Sequence, residues 1–275
     1  MNPLRIKLAV LDLAGTTVDF GSCAPAAAFV ELFDRHGIYA TMAEAREPMG
    51  LQKREHVKAM FSMPAISRQW QAKHGRSPAP EDIDSLYDEF IPLQISSLAR
   101  YSDLIPGALQ AAAAFRKRGI PIAVTTGYNE EMMKTVLASA ARQGFVPDAA
   151  ICADHVTAGR PAPWMIYAAM ERLNVYPPES VLNVGDTLPD VGSGRNAGAW
   201  SVGVAATGNM IGADAAEWNA LPIAKRRESL GQAREKMLAA GAHYVVDGIV
   251  DCVELVDEIN KRLADKQFQN GKTTE

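Results

Sequence analysis

The chain has 275 residues, 48% of them hydrophobic and 22% charged, as is usual for a globular protein with a substantial core. Its net charge of −4 gives no reason to expect a nucleic-acid partner. The three cysteines lie far apart without a CxxC pair, which argues against disulfides or zinc and favours a reducing compartment. The apolar runs are too short for a signal peptide or a membrane span, so we expect a soluble cytoplasmic protein without a membrane partner.

The first predicted element is a buried parallel strand over residues 6–11, which ends in a carboxylate, Asp12. A small, turn-prone segment follows at 13–17. The carboxyl end of a parallel strand opens onto the crevice where α/β proteins bind ligands, so Asp12 is a candidate ligand-facing residue. Helix capping is the alternative role for an acid at this point.

Residues 21–100 contain no convincing strand and predict an inserted helical cap domain between two parts of a core, residues 1–20 and 101–275. A helix is expected from about Pro25 to Gly37, because proline suits a first helical turn and glycine a helix end. Apolar residues recur at helical spacing from Glu81 to Leu98. Breaks are expected at 48–50, at Pro64 and around 77–80.

After residue 106, predicted helices and strands alternate, which indicates an α/β fold with a Rossmann-like parallel sheet. Strands are expected at 120–124, 148–152, 180–184, 200–205 and 243–246. Helices are expected at 107–118, 129–142, 164–173, up to 197, 223–239 and 250–263. The segment 208–221 is expected to be a loop or weak helix, and the polar tail 265–275 to be frayed.

Polar residues follow several of these strands, at what should be one edge of the sheet. Asp12 and Asp186, with Asp190 nearby, can hold a hard cation, and Mg²⁺ is the usual one beside phosphate. Thr126, the backbone N–H groups around Gly127 and the Arg160 guanidinium suit phosphoryl oxygens. Each residue alone is an ordinary turn, cap or surface residue, and their ordered recurrence carries the prediction.

These motifs resemble those of the haloacid dehalogenase (HAD) superfamily over the whole sheet domain. The nucleophile motif corresponds to Asp12 in DLAGTTVD, the Ser/Thr motif to Thr126, the basic motif to Arg160 and the acidic motif to GDTLPD, which contains Asp186 and Asp190. The resemblance implies a HAD-like core with a helical cap. It also implies Mg²⁺ bound by Asp12, the Ala14 carbonyl and Asp186, with Asp190 supporting.

One departure concerns the leaving group. Phosphatases of the superfamily carry a general acid two residues after the nucleophile, where this chain has Ala14. Loss of such an acid costs an ester hydrolase roughly 10²–10⁴-fold in rate. The chain is therefore inactive, uses another acid, or expels a leaving group that needs no proton at this site.

The third option matches the phosphonatase subfamily, which DLAGTTVDFG, MGLQKREHV, TTGY, GRPAPW and VGDTLPDV resemble. The resemblance implies cleavage of the carbon–phosphorus bond of phosphonoacetaldehyde in 2-aminoethylphosphonate degradation. Lys53 would form a Schiff base and Asp12 an aspartyl-phosphate. Met49 and His56 would share a helical face with Lys53 if the segment is helical, and Tyr128 belongs to the TTGY motif. Where the subfamily has Cys after the motif's Gly, this chain has Ser22 and then Cys23.

The subfamily resemblance also implies a homodimer formed through the cap. Three other classes of function are alternatives to a phosphonatase. A dinucleotide-dependent oxidoreductase is disfavoured because the glycine-rich stretch 192–198 has one residue too many and comes late in the chain. A phosphatase or phosphomutase with a replaced acid is distinguished by its substrates. A non-catalytic scaffold is disfavoured by the joint presence of the motif residues.

Overall fold

The computed structural model describes residues 4–98 and 101–272, with side chains up to residue 265. A six-stranded parallel sheet lies at its centre, in the order β3-β2-β1-β4-β5-β6. The strands are β1 (Leu8–Asp12), β2 (Ile122–Thr126), β3 (Ala149–Cys152), β4 (Val181–Gly185), β5 (Trp200–Val204) and β6 (Tyr244–Val246). Because each coincides with an apolar run of the sequence, the predicted α/β sheet is confirmed.

Five helices lie between the first two strands. They are α1 (Cys23–Arg35), α2 (Met42–Arg46), α3 (Lys53–Phe61), α4 (Pro64–His74) and α5 (Pro80–Leu98). The helices after them are α6 (Ala108–Lys117), α7 (Glu130–Arg142), α8 (Trp164–Arg172), α9 (Leu188–Ala197), α10 (Ala215–Ala220), α11 (Ile223–Ala239) and α12 (Cys252–Lys272). The inserted helical block is thus present, and its division from the core at residues 20 and 101 stays a prediction.

The predicted tail differs from the structure, whereas the weak helix expected as one alternative within 208–221 is present. The tail was expected to be frayed from residue 265 onward, but helix α12 continues to Lys272. Its sequence there includes good helix formers, which favour a helix without an apolar face. Residues 273–275 of that prediction lie outside the described chain. Within 208–221, α10 forms where a loop or weak helix was expected, and a capping box between Asp214 and Glu217 begins it.

The sheet is buried on both faces, which explains why its strands are continuous apolar runs. In β1, Leu8 and Val10 face one cluster that includes α8, whereas Ala9 and Leu11 face the larger cluster on the other side. The inserted block is held by a stack of rings in which Phe29 of α1 lies between His56 of α3 and Phe90 of α5, at centroid distances of 3.7 and 4.2 Å. This stack fixes the helix that begins with Lys53.

Candidate active site

The polar residues predicted at the strand ends meet at one edge of the sheet. Asp12, the last residue of β1, pairs in register with Thr125 of the neighbouring β2. On the other side of β1, strand β4 ends at Gly185, which is followed by Asp186. Both acids are almost fully buried, at 6% and 0% exposure, so their charge must be balanced locally.

Arg160 supplies part of that balance from the loop after β3. Its Nη2 donates to Asp12 Oδ1 at 2.6 Å and to Thr125 Oγ1 at 2.8 Å, and its Nη1 lies 2.8 Å from Asp190 Oδ1. The sequence analysis missed Thr125 because the motif contains two adjacent threonines. Successive side chains of a strand point to opposite faces, so Thr125 holds the arginine while Thr126 lines the cavity described below.

Asp12, Asp186 and Asp190 form a buried acid cluster in which one oxygen of each lies within 4.8 Å of the others. Burial raises the pKa of Asp12 to about 6, with Arg160 lowering it and Asp190 raising it. Burial and the two neighbouring carboxylates also raise the pKa of Asp186 well above its ordinary value. A hard divalent cation would relieve this repulsion, and carboxylate oxygens are its preferred ligands. The residues present therefore fit a divalent metal site.

Each acid is also held by its own donors. Asp186 accepts the backbone N–H of Asn209 at 2.7 Å and the Thr16 hydroxyl at 3.3 Å. Asp190, in the first turn of α9, accepts the N–H and the hydroxyl of Thr187 at 3.0 and 2.5 Å. Asp190 thus completes a capping box, and the same carboxylate contacts Arg160. Asp190 is therefore a helix-capping acid that also contacts Arg160, and its support of a metal stays a prediction.

Glycines surround the acid cluster closely enough that no side chain fits in their place. Gly15 has φ +83°, and a Cβ there would lie 2.2 Å from Asp186 Oδ2. A Cβ on Gly185 would lie 2.3 Å from Asp190 Cγ, and one on Gly208 would lie 2.4 Å from Asp186 Cβ. The sequence analysis gave these glycines no role, although Gly15 follows directly in the nucleophile motif.

Lys53, the first residue of α3, is the cation that the inserted block contributes. It is only 6% exposed, and its Nζ lies 3.9 Å from Met49 Sδ and 5.2 Å from the Tyr128 ring centroid. It belongs to none of the ion pairs found among the described residues. Burial lowers its pKa to about 8, although the Asp12 charge acts in the opposite direction. At a pKa of about 8, roughly a tenth of this amine is neutral at pH 7.

The expected arrangement of Met49, Lys53 and His56 on one helical face is wrong for Met49. Residues 48–51 form a turn, with Gly50 at φ +95°, and the helix begins only at Lys53. Met49 still meets the lysine because the turn folds back onto it. His56 lies behind the lysine, where its Nε2 is 2.9 Å from the Ala45 carbonyl and its ring stacks on Phe29. Burial and the Lys53 charge lower its pKa well below 6.5.

One small cavity, of about 20 Å³, brings the lysine and the nucleophile candidate together. Its volume is about that of one water molecule. The predicted site residues on its wall are Asp12, Ala14, Met49, Lys53, Thr126, Gly127, Tyr128 and Arg160. The predicted residues that lie outside the wall are His56, Asp186 and Asp190. The inserted block and the sheet edge thus contribute residues to one small cavity.

Beside this cavity, residues 51–52 pack closely against Gly127 and Gly159, and we call this contact the seam. A Cβ on Gly127 would lie 2.7 Å from the Leu51 carbonyl, and one on Gly159 would lie 2.4 Å from Gln52 Cγ. Gln52 Nε2 also donates to the Ala153 carbonyl at 3.3 Å. The loop before α3 therefore rests directly on the loops after β2 and β3.

Ser22, rather than Cys23, reaches the cavity wall. Ser22 has φ +49° and precedes α1, whereas the Cys23 thiol donates to the Phe20 carbonyl at 3.5 Å. Asp19 accepts the Cys23 and Ala24 N–H groups at 3.0 and 3.1 Å, and it anchors the start of α1. All three cysteines of the chain are free thiols.

Comparison with known proteins agrees with this geometry. Residues 6–198 match the family described as haloacid dehalogenase-like hydrolase, and residues 157–252 match the HAD-hydrolase-like family. The chain belongs to the haloacid dehalogenase-like hydrolases.

Within that superfamily, curated relatives at about 40% identity are named phosphonoacetaldehyde hydrolase. The phosphonoacetaldehyde hydrolase of Syntrophobacter fumaroxidans is 42% identical over 94% of this chain and 94% of its own. That of Paraburkholderia phytofirmans is also 42% identical, over 94% of this chain and 97% of its own. A crystal structure of a phosphonoacetaldehyde hydrolase-like protein from Oleispira antarctica has a TM-score of 0.93 at 40% identity, covering 94% of both chains. The chain is thus an enzyme of the phosphonoacetaldehyde hydrolase family. No helix among the described residues combines the length and apolarity that a membrane crossing requires.

Proposed function

We propose that the enzyme hydrolyses the carbon–phosphorus bond of phosphonoacetaldehyde to acetaldehyde and inorganic phosphate. The observation that carries this proposal is the pair of groups on one cavity wall, the Lys53 amine and the Asp12 carboxylate. A substrate with an aldehyde at one end and a phosphoryl group at the other matches this pair. The names of the relatives support the same substrate.

In the first step, the neutral Lys53 amine adds to the aldehyde carbon, and water leaves to give a protonated imine. A carbanion beside phosphorus is a poor leaving group. The imine accepts the electron pair of the breaking C–P bond, so the organic fragment departs as an enamine. The lowered pKa of about 8 supports this role, because only the neutral amine can attack.

In the second step, an Asp12 carboxylate oxygen bonds to phosphorus as the C–P bond breaks. Water then hydrolyses the aspartyl-phosphate to inorganic phosphate and regenerates the carboxylate. Arg160 and Thr126 would bind the phosphoryl oxygens, a role supported by the contact between Arg160 and Asp12 and by the presence of both residues on the cavity wall. Protonation of the enamine and hydrolysis of the imine release acetaldehyde and return Lys53 to its free form.

We propose Mg²⁺ as the divalent cation. Asp12, Asp186 and the Ala14 carbonyl would hold it, with Asp190 supporting through Thr187 and Arg160. When bound, the ion would offset the negative charge shared by the carboxylates and the phosphoryl group. Dialysis against EDTA should abolish turnover and added Mg²⁺ should restore it. Full activity of the metal-free enzyme would contradict the assignment.

The deciding experiment couples detection of acetaldehyde and phosphate to phosphonoacetaldehyde as substrate. Sugar phosphates serve as the comparison, because phosphate release from them would favour a phosphatase or phosphomutase. In parallel, borohydride added with substrate should reduce the imine, and mass spectrometry should find the two-carbon adduct on Lys53. The adduct on Lys58 or Lys73 instead would leave a metal-dependent phosphatase as the better interpretation.

We also propose that residues 21–100 act as a lid on the core, with hinges near Gly21 and at 102–106. Its support is the seam of backbone contacts over the cavity, which has to open to admit a substrate. Small-angle scattering should show compaction when Mg²⁺ and a phosphonate analogue are added. An unchanged profile would contradict the lid.

The remaining proposals concern the setting of the enzyme. A place in 2-aminoethylphosphonate degradation and a homodimer formed through the cap are proposed from the subfamily resemblance. A cytoplasmic location is supported by the three free thiols. The net charge of −4 supports the absence of a nucleic-acid partner. Light scattering coupled to gel filtration measures the oligomeric state directly, and a monomeric mass would contradict the dimer.

A further inference from the structure

The loop that follows β5, residues 205–213, contacts both the acid cluster and the inserted block. On the core side, the Asn209 N–H donates to Asp186 Oδ2 at 2.7 Å, and the Thr207 hydroxyl donates to the Gly15 carbonyl at 2.8 Å. The Gly21 N–H, where the chain leaves the core, donates to the Thr207 carbonyl at 2.8 Å. The loop that donates to Asp186 is therefore hydrogen-bonded to the segment where the chain enters the inserted block.

Arg46, the last residue of α2, completes the connection from the cap side. Its Nη1 donates to the Gly21 carbonyl at 2.6 Å and to Asn209 Oδ1 at 3.1 Å. Asn209 Nδ2 donates in return to the Arg46 carbonyl at 3.1 Å. The two residues thus hold each other through both ends of the asparagine amide. The Arg46 guanidinium also donates to the Ser22 carbonyl at 3.3 Å and to Cys23 Sγ at 3.6 Å, so its hydrogen bonds lie at this connection.

We propose that Arg46 and Asn209 are positioning residues that couple the seating of the cap to the orientation of Asp186. With α2 in place, Arg46 fixes the side chain of Asn209. The backbone N–H of Asn209 then points at the Asp186 carboxylate. The loop and Asp186 are tightly packed, because a Cβ added to Gly208 would lie 2.4 Å from the Cβ of Asp186. A shift of the loop would therefore also move Asp186. This inference rests on the proposed metal role of Asp186.

The chemical consequence is a metal site that is fully formed only when the cap is seated. Partners that orient a metal ligand affect metal affinity even though they do not touch the metal, typically by about 10–100-fold. Asn209 contacts Asp186 through its backbone, and its side chain acts one contact further out. We therefore expect the lower end of that range, a loss of about tenfold in Mg²⁺ affinity, from removal of either side chain.

The test uses Arg46→Gln, Asn209→Ala and the double variant, with Arg35→Gln and Asn219→Ala as matched controls on exposed helix positions. Mg²⁺ affinity is measured by calorimetry on the full chain without substrate. Hydrogen exchange over 205–213 is followed in the same samples. Each single variant should lose about tenfold in affinity and exchange faster in this loop. The double variant should lose no more than either single one, because both act through one contact.

Arg46→Lys provides a rescue test, because a lysine can reach one carbonyl but not the full set. Its Mg²⁺ affinity should lie between those of wild type and Arg46→Gln. Affinity within about twofold of wild type in folded Arg46→Gln and Asn209→Ala, or fully additive losses in the double variant, would overturn the coupling. If Arg46→Gln does not fold, Asn209→Ala carries the test.

Failure of the proposed substrate is distinguishable from failure of this inference, because neither measurement uses phosphonoacetaldehyde. Asp186→Asn reports on the shared premise. A strong loss of Mg²⁺ binding in Asp186→Asn supports the premise, and wild-type affinity would remove it together with the coupling.

Discussion

The strand-end edge of the sheet and the start of α3, which carries Lys53, differ in how they hold buried charged groups. At the sheet edge, Asp12 and Asp190 contact Arg160, and Asp186 accepts from the Asn209 N–H and the Thr16 hydroxyl, so each buried acid has fixed partners. On the cap side, a single buried lysine faces a sulfur atom and aromatic rings. Burial disfavours the charged form in both regions, since it raises the pKa values of Asp12 and Asp186 and lowers that of Lys53. The acids have hydrogen-bonded partners that offset part of this cost, whereas Lys53 belongs to none of the ion pairs among the described residues.

This difference separates binding from reactivity. In the proposed function, the partnered carboxylates would hold the cation and Arg160 would bind the phosphoryl group, with their orientation fixed in advance by their partners. A lysine with a pKa of about 8 keeps a reactive neutral fraction that a solvated lysine, with a pKa of about 10.4, lacks.

Lys53→Arg should produce the largest effect, because arginine keeps the positive charge but cannot form the imine. Carbon–phosphorus cleavage should fall by on the order of 10⁴-fold or more, as for removal of a covalent catalyst. Lys58→Arg, on the exposed side of the same helix, is the control and should retain activity. Steady-state assays with circular dichroism as a folding check decide the matter, and an active Lys53→Arg enzyme would contradict imine chemistry.

Ala14→Asp tests the sheet edge by adding a carboxylate to the cavity wall. If the leaving group is carbon, the site needs no acid there, and the new charge repels the phosphoryl group. One like charge at about 5 Å and an effective dielectric of about 20 costs roughly 3 kcal/mol, so activity should fall by roughly 100-fold. Ala14→Asn, which is similar in size and neutral, separates repulsion from crowding. A gain in phosphonatase activity would show that this account of Ala14 is wrong.

Gly15→Ala tests how tightly the acid cluster is packed. Its φ of +83° and the 2.2 Å approach of a Cβ to Asp186 Oδ2 mean that both the backbone and the carboxylate must shift. We expect activity to fall by at least about tenfold, the effect typical of disturbing a metal ligand's support. Gly119→Ala is the matched control, because Gly119 also has positive φ (+68°) but nothing within 4 Å of a Cβ. Equal effects in the two variants would assign the loss to backbone strain alone.

The same two regions differ in how far the sequence predicts them. The strand ends follow from apolar runs that stop at Asp12, Thr126 and Gly185, because parallel strands bring such ends to one edge. Thr125 was missed, since a pattern of residue types does not say which of two adjacent threonines faces the arginine.

The cap side depends on contacts that no local pattern encodes. The burial of Lys53 arises because a turn with Gly50 at positive φ folds Met49 back and because Phe29 stacks on His56 from another helix. The link between Arg46 and Asn209 joins residues that are 163 positions apart, so it was found only in the folded chain. The subfamily resemblance singled out Lys53, whereas residue chemistry alone favoured a solvated surface lysine, and tertiary packing supplies the surroundings that lower its pKa.

Lys53→Met should increase the stability of the fold while removing the catalytic amine. Burial lowers the pKa of Lys53 from 10.5 to about 8, so between these pH values the unfolded chain binds a proton that the native protein does not. Native stability due to this group therefore rises with pH across that window, and the full penalty applies below pH 8. The difference between the two pKa values corresponds to roughly 3 kcal/mol. Met avoids this penalty and keeps a similar apolar length.

Urea unfolding of wild type and Lys53→Met measures this difference at pH 7 and at pH 9.5. The variant should be more stable by up to roughly 3 kcal/mol at pH 7, and the gap should narrow at pH 9.5 because the wild type gains stability there. Lys73→Met, at an exposed position of α4, is the control and should show no pH-dependent gap. A Lys53→Met protein that is less stable than wild type at pH 7 would mean that the contacts of the ammonium group outweigh its burial. The ammonium group of Lys53 would then be stabilised by its contacts, as the carboxylates at the sheet edge are by theirs.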